Sequence, residues 1–309
     1  MIVAGVLATC RWRPWLVGGL AAYVLVLGGL TVSRNRLWND ELALWQDAMA
    51  KGPALPRPAF AVGEVYRRRG DYVEAEACYR RSLAIQPDYR PALQNLGVVL
   101  EAQGRNQEAL EVYGQFLRRW PDDVEVIHNV ALLFNRLGQL DQARLAGRRV
   151  LELAPAHAGA ILNLAQVEEQ LGHRAEAIAL CRRALAARPD ARTALLAGAL
   201  LGRALEQEGD LEGALAAYAG AQTVAPRDAA LYLWRGGVLR QLRRFDEAQE
   251  MLNQALALGA AGVVGDAYLQ LARLCRDRGD AAGAAVNYRR AREHGAAADP
   301  ALEPAVPRP

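Results

Sequence analysis

The sequence predicts an all-α solenoid: about seven stacked helix hairpins behind one apolar N-terminal helix. Three observations in the 309-residue chain carry that prediction. Pro53, Pro87, Pro121, Pro155 and Pro189 stand 34 residues apart, and Pro226 follows after 37. With each proline numbered 32, units begin at 56, 90, 124, 158, 195, 229 and 265, and all seven have alanine at position 20, from Ala75 to Ala284. Residues 15–32 run eighteen positions without a charge. A period of this length marks a unit whose apolar face cannot be buried alone, so neighbours must stack.

The elements follow in order. Residues 1–36 form a membrane anchor with its flanks. A bilayer core of ~30 Å takes about 17–25 apolar residues, and 15–32 meets that length at its short end. Arg11 and Arg13 flank the run on one side, Arg34 and Arg36 on the other, with Trp12, Trp15 and Trp38 at interfacial positions. A cleaved signal peptide is the alternative. The run exceeds the ~7–15 residues of a signal core, and no A-x-A site follows it. Residues 2–10 are apolar but too short to span. The arginines tie at two against two, and the short Arg11–Arg13 stretch tips the N-terminus inside, leaving the repeats on the outer, periplasmic side.

Residues 37–55 read as a capping half repeat, a second helix with Asn39 as N-cap and Asp40 and Glu41 in its first turn. Units one to seven fill 56–294. Position 8 is small throughout (Gly63, Gly97, Ala131, Ala165, Gly202, Gly236, Ala272), as a close helix crossing demands. Position 15 is glycine in six units, where the first helix ends in a left-handed residue, and Arg243 replaces it in unit six. Position 24 is tyrosine in four units, with Gly147, Cys181 and Leu252 in the others. Extra residues near 192–194 and 263–264 are placed in loops between units. The alanine- and proline-rich tail 295–309 lacks apolar periodicity and is expected to be disordered.

This small, small, glycine, alanine, tyrosine, proline pattern resembles the tetratricopeptide (TPR) family throughout 56–294. The resemblance implies a right-handed superhelix whose first helices line a concave, polypeptide-binding groove. Residues 34–53 add Arg34-Asn35-x-x-Trp38-x-Asp40 and Leu44-Trp45-x-Asp47-Ala48 between an apolar helix and the repeats. That order resembles the C-terminal arm of multispanning membrane proteins related to O-mannosyltransferases. It implies the alternative that this chain is an acceptor-recruiting arm whose catalytic spans lie elsewhere.

Placed on the family's groove positions, the candidate partner-binding residues are Asn95, Asn129, Asn163, His128, Arg136, Gln166, Arg203, Trp234 and Arg273. The three asparagines share position 6 and resemble the asparagine ladder of O-linked N-acetylglucosamine transferases, where amides grip a peptide backbone. Asparagine before Leu-Gly is also the ordinary family preference at that position. A polar groove favours a polypeptide with charged or amide side chains over an apolar helix.

Composition narrows the function further. There are 36 arginines and one lysine, yet the net charge is only +3, so no nucleic-acid partner is called for. Arg-Arg pairs at positions 25 and 26 (Arg80–Arg81, Arg148–Arg149, Arg182–Arg183, Arg289–Arg290) mark a solvated outer face or a contact for a polyanion. Cys10, Cys78, Cys181 and Cys275 show no disulfide or metal spacing and read as buried thiols. The four histidines lack metal-ligand spacing, and no phosphate loop or nucleophile motif is present. No catalytic residue, metal, cofactor or small-molecule substrate is expected. The chain reads as a membrane-anchored, non-catalytic interaction scaffold.

Overall fold

The computed structural model describes residues 14–303, with side chains at 18, 19, 21–31 and from 40 onward. Sixteen α-helices and no strand occur among them. Contacts divide the chain into two units, 1–121 and 122–309.

The first unit begins with α1 (Pro14–Asn39) and α2 (Glu41–Lys51). Two hairpins follow: α3 (Pro56–Arg69) with α4 (Tyr72–Ile85), and α5 (Arg90–Ala102) with α6 (Asn106–Arg119). Asp40, not Asn39, is the N-cap of α2; its Oδ1 accepts from the N–H groups of Leu42 and Ala43 at 3.1 and 3.2 Å. Asn39 instead ends α1. α2 packs on α3. Among the described residues no helix is long and apolar enough to cross a membrane. The uncharged run 15–32 is only partly covered by described side chains, and the segment 2–10 and Cys10 lie outside the described residues.

The second unit stacks five hairpins: α7 (Val124–Arg136) with α8 (Leu140–Leu153), α9 (Ala158–Gln170) with α10 (Arg174–Ala186), α11 (Ala191–Glu208) with α12 (Leu211–Val224), α13 (Ala229–Gln241) with α14 (Phe245–Leu258), and α15 (Ala261–Asp277) with α16 (Ala281–Glu293). First helices touch their counterparts at α7–α9, α9–α11 and α13–α15, so they form one wall.

Position 8 explains position 24. A Cβ on Gly63, Gly97 or Gly202 would fall 2.7, 2.2 or 2.5 Å from the ring of Tyr79, Tyr113 or Tyr218. With no Cβ in the way, these rings lie flat on the partner helix. Each hydroxyl then reaches a first-helix carboxylate: Glu64, Glu101 and Glu206. Where position 8 is Ala131 or Ala165, position 24 shrinks to Gly147 or Cys181. The gap at Gly147 is closed by Leu164, whose Cδ1 lies 3.4 Å from where a Cβ would stand. The last hairpin has both Ala272 and Tyr288, and there the tyrosine hydroxyl turns away to accept from the backbone N–H of Asp299.

Two further expectations are corrected. The extra residues near 192–194 and 263–264 are not loop. They lengthen α11 and α15 at their N-termini, so these helices have 18 and 17 residues against 13 in α9. Asp190 makes this possible by capping the N–H groups of Arg192 and Thr193 at 3.0 and 3.1 Å. Nor is the start of the tail disordered. Ala296 and Leu302 are buried with Leu269, Ala272, Tyr288 and Ala291, and Asp299 pairs with Arg273 at 2.8 Å. An open solenoid end exposes apolar surface, and this segment covers it. Residues 304–309 lie outside those described.

Candidate functional site

Of the outer arginines, the Arg148–Arg149 pair is engaged. Arg148 bonds Glu168 and Glu176, and Arg149 bonds Asp122 and Glu152. Glu168 is fully buried, and its other oxygen lies 2.7 Å from His173 Nδ1. Glu168, His173 and Glu176 could converge on a metal ion. The guanidinium of Arg148, 3.2 and 3.1 Å from the two carboxylates, already supplies the cation there. This cluster leaves no mark in the sequence because its members come from three helices and a turn.

The inner wall of the second unit is built by α7, α9, α11, α13 and α15. Three clefts adjoin along it. One of about 500 Å³ is lined by His128, Asn163, Gln166 and Leu196 among others. The next, about 610 Å³, shares Gln166 and Leu196 and adds Glu169, Arg203, Glu206, Tyr218 and Trp234. The third, about 310 Å³, shares Glu206 and Trp234 and adds Asp266, Gln270 and Arg273. Six of the nine residues placed in the groove by sequence therefore line these clefts. Asn95, Asn129 and Arg136 do not.

The asparagines are not a free row. Asn95, in the first unit, donates to Glu64 Oε1 at 2.7 Å. Burial opposes ionisation of Glu64, but bonds from Arg67, Tyr79 and Asn95 win and hold its carboxyl below the usual range. Asn163 is 2% exposed, and its Oδ1 accepts from Asn135 at 3.0 Å. Asn135 in turn accepts from Gln170. Asn163 Nδ2 and His128 Nδ1 are buried without a partner beneath the first cleft. His128 lies against His157, with ring centroids 4.9 Å apart and the rings tilted by 51°. Burial first, and His157 second, lower its pKa. These two histidines lie 29 positions apart in sequence, so only the stacking of α7 on α9 brings them together.

Three arginines of the wall are paired locally. Arg203 meets Glu169 at 3.3 Å, Arg273 meets Asp299, and Arg240 meets Asp277 at 2.5 Å. Cys181 is buried, which pushes its thiol up to about 12, whereas Cys78 and Cys275 are only half-buried.

Stacked antiparallel hairpins with an inner wall of first helices define a helical-repeat scaffold. Tetratricopeptide repeat models match residues 57–122 and, in overlapping pairs, 95–158, 131–192, 162–229 and 199–258. The chain belongs to the tetratricopeptide repeat family. No curated protein matches it. A solved tetratricopeptide repeat protein from Parabacteroides merdae is 20% identical, with a TM-score of 0.57 over 81% of this chain and 97% of its own. PilW, a type IV pilus biogenesis factor, is 23% identical with a TM-score of 0.57 over 65% of this chain and 92% of its own. YrrB, a TPR protein with an unusual peptide-binding site, is 18% identical with a TM-score of 0.51 over 59% and 92%. These likenesses concern the fold.

Proposed function

We propose that the chain is a membrane-anchored scaffold whose second unit binds an extended polypeptide segment along its inner wall. The observation that carries this reading is the row of three adjoining clefts joined through Gln166, Leu196, Glu206 and Trp234. A continuous trough with polar side chains set among Leu196, Leu200 and Trp234 suits a peptide backbone with alternating side chains. The reading assigns binding rather than catalysis. Of the sequence candidates, His128, Gln166, Arg203, Trp234 and Arg273 are its contacts. Asn163 acts beneath the floor, and Asn95 serves the packing of its own unit. The peptide-binding site named for YrrB is in keeping with this use of the fold. The resemblance of 34–53 to an O-mannosyltransferase arm gains no support from the matches.

Leu196 is 42% exposed and shared by two clefts, so Leu196→Arg tests the trough. The variant should keep its helical circular dichroism and lose the polypeptide that the parent chain retains. Undiminished capture refutes the trough.

The anchor rests on the uncharged run 15–32 and on α1. Its 26 residues extend about 39 Å at the ~1.5 Å rise of a helix. Leu25 and Leu30 are 75% and 61% exposed, as a lipid-facing helix requires. The chain should stay with membranes through a carbonate wash, and protease added outside the cell membrane should digest the repeats. Release by carbonate sinks the anchor; protection of the repeats sinks the orientation.

A further inference from the structure

Trp234 stands at the junction of two clefts, 40% exposed, at the repeat position that Asn163 holds in unit four. Tyr218 backs it, with ring centroids 5.6 Å apart. Arginines of this chain readily seek aromatic faces: Arg90 lies over Phe116 and Trp120, Arg278 over Phe245 and Arg290 over Tyr268, each at 5.7–5.8 Å. Among the described residues no cation lies over Trp234.

Two carboxylates flank the ring without a cationic partner. Glu206 lines both clefts and accepts only from neutral donors, Gln241 Nε2 at 2.6 Å and Tyr218 hydroxyl at 3.4 Å. Asp266 is exposed on the wall of the third cleft and makes neither a hydrogen bond nor an ion pair. The surrounding cations are committed. Arg203 is held by Glu169 and Arg273 by Asp299, while Arg240 and Arg276 share Asp277. Arg235, the neighbour of Trp234, bonds Gln222 of α12. The chain carries net positive charge, yet this notch is locally acidic.

We propose that Trp234, Glu206 and Asp266 form a receptor for a cationic side chain, arginine or lysine, projecting from a polypeptide that lies in the trough. This rests on the peptide-binding reading and adds its side-chain specificity. An indole is the strongest of the protein ring acceptors for a cation. A guanidinium seated on it brings its N–H donors to flanking carboxylates, and arginine stacks and forks at once. The clefts on either side leave room for the backbone to enter and leave.

The test uses the full-length chain in detergent and three pools of random dodecapeptides whose central residue is fixed as arginine, glutamine or glutamate. The arginine pool should be retained at least tenfold over the other two. Trp234→Ala should abolish that preference, and so should the near-isosteric pair Glu206→Gln with Asp266→Asn, which leaves Glu206's shape in place. Salt should weaken the arginine pool most. If all three pools are retained alike, the trough binds peptide but the notch does not select charge, and this inference alone falls. If the arginine preference survives in the double variant, the cation sits elsewhere and the inference again falls. If no pool is retained, both this inference and the peptide-binding reading fall.

Discussion

Gly97→Ala should destabilise the first unit even though alanine is the better helix former. Gly97 lies inside α5, where glycine costs about 0.5–1 kcal/mol relative to alanine. Against this gain stands the ring of Tyr113. The new Cβ would lie 2.2 Å from Cε1, 2.6 Å from Cζ and 2.7 Å from Cδ1. Tyr113 is fully buried and its hydroxyl is bonded to Glu101, so the ring can yield only by breaking that bond or parting α5 from α6. Overpacking of this kind costs ~1–3 kcal/mol, and the depth of the overlap points to the upper part of that range. The net loss is about 1–2 kcal/mol. Stacked repeats need not unfold in one step, so the assay is amide hydrogen exchange over 90–119, with a loss of protection of roughly five- to thirtyfold. Gly147→Ala is the internal control. Its Cβ would meet Leu164 at an ordinary 3.4 Å, so the propensity gain of ~0.5–1 kcal/mol should appear uncancelled. If Gly97→Ala stabilises as Gly147→Ala does, the tyrosine-on-glycine packing is wrong. Beside Gly147, Leu164 fills the space a tyrosine takes elsewhere.

Other expectations follow from the same geometry. Arg243 ends α13 at φ +59°. Arg243→Gly removes a left-handed cost of ~1–2 kcal/mol against a glycine entropy penalty of ~0.5–1 kcal/mol. Thermal denaturation should rise slightly, and a fall would count against it. Leu302→Ala, at a fully buried position, should cost ~2–5 kcal/mol and strip exchange protection from α15 and α16; unchanged protection would return the segment to disorder. His128 has a folded pKa below its free value, so its contribution is complete above about 6.5 and is lost as pH falls through the lower folded value. Between pH 7 and 5 the denaturation midpoint should drop, and His128→Gln should flatten that slope; an equal slope in the variant would remove His128 as its source.

Much of the fold was legible because the repeat is local. Spacing of Pro87, Pro121 and Pro155 gave the period, and the glycines at position 15 marked the helix ends they occupy, Gly104 at φ +76° and Gly172 at φ +83°. The groove was legible in part for the same reason: register alone carried Gln166, Arg203, Trp234 and Arg273 to the inner wall. What register cannot say is whether a side chain on that wall is free. Asn95 and Asn163 stand at one repeat position, but a neighbouring helix supplies Glu64 to the first and Asn135 to the second, and both amides are drawn into packing.

The hairpin, its length and its tight crossing could be read from the chain alone, because these depend on which residues a single 34-residue unit can pack against itself. Tertiary structure alone decided how the ends and the charges resolve. The tail folded back because α15 and α16 had no further hairpin to cover them. Glu206 and Asp266 have no ion pair beside Trp234 because the nearby arginines found partners on other segments. The three charge pairings join residues 34, 26 and 37 positions apart, and a local pattern holds no information about which partner a long side chain will reach.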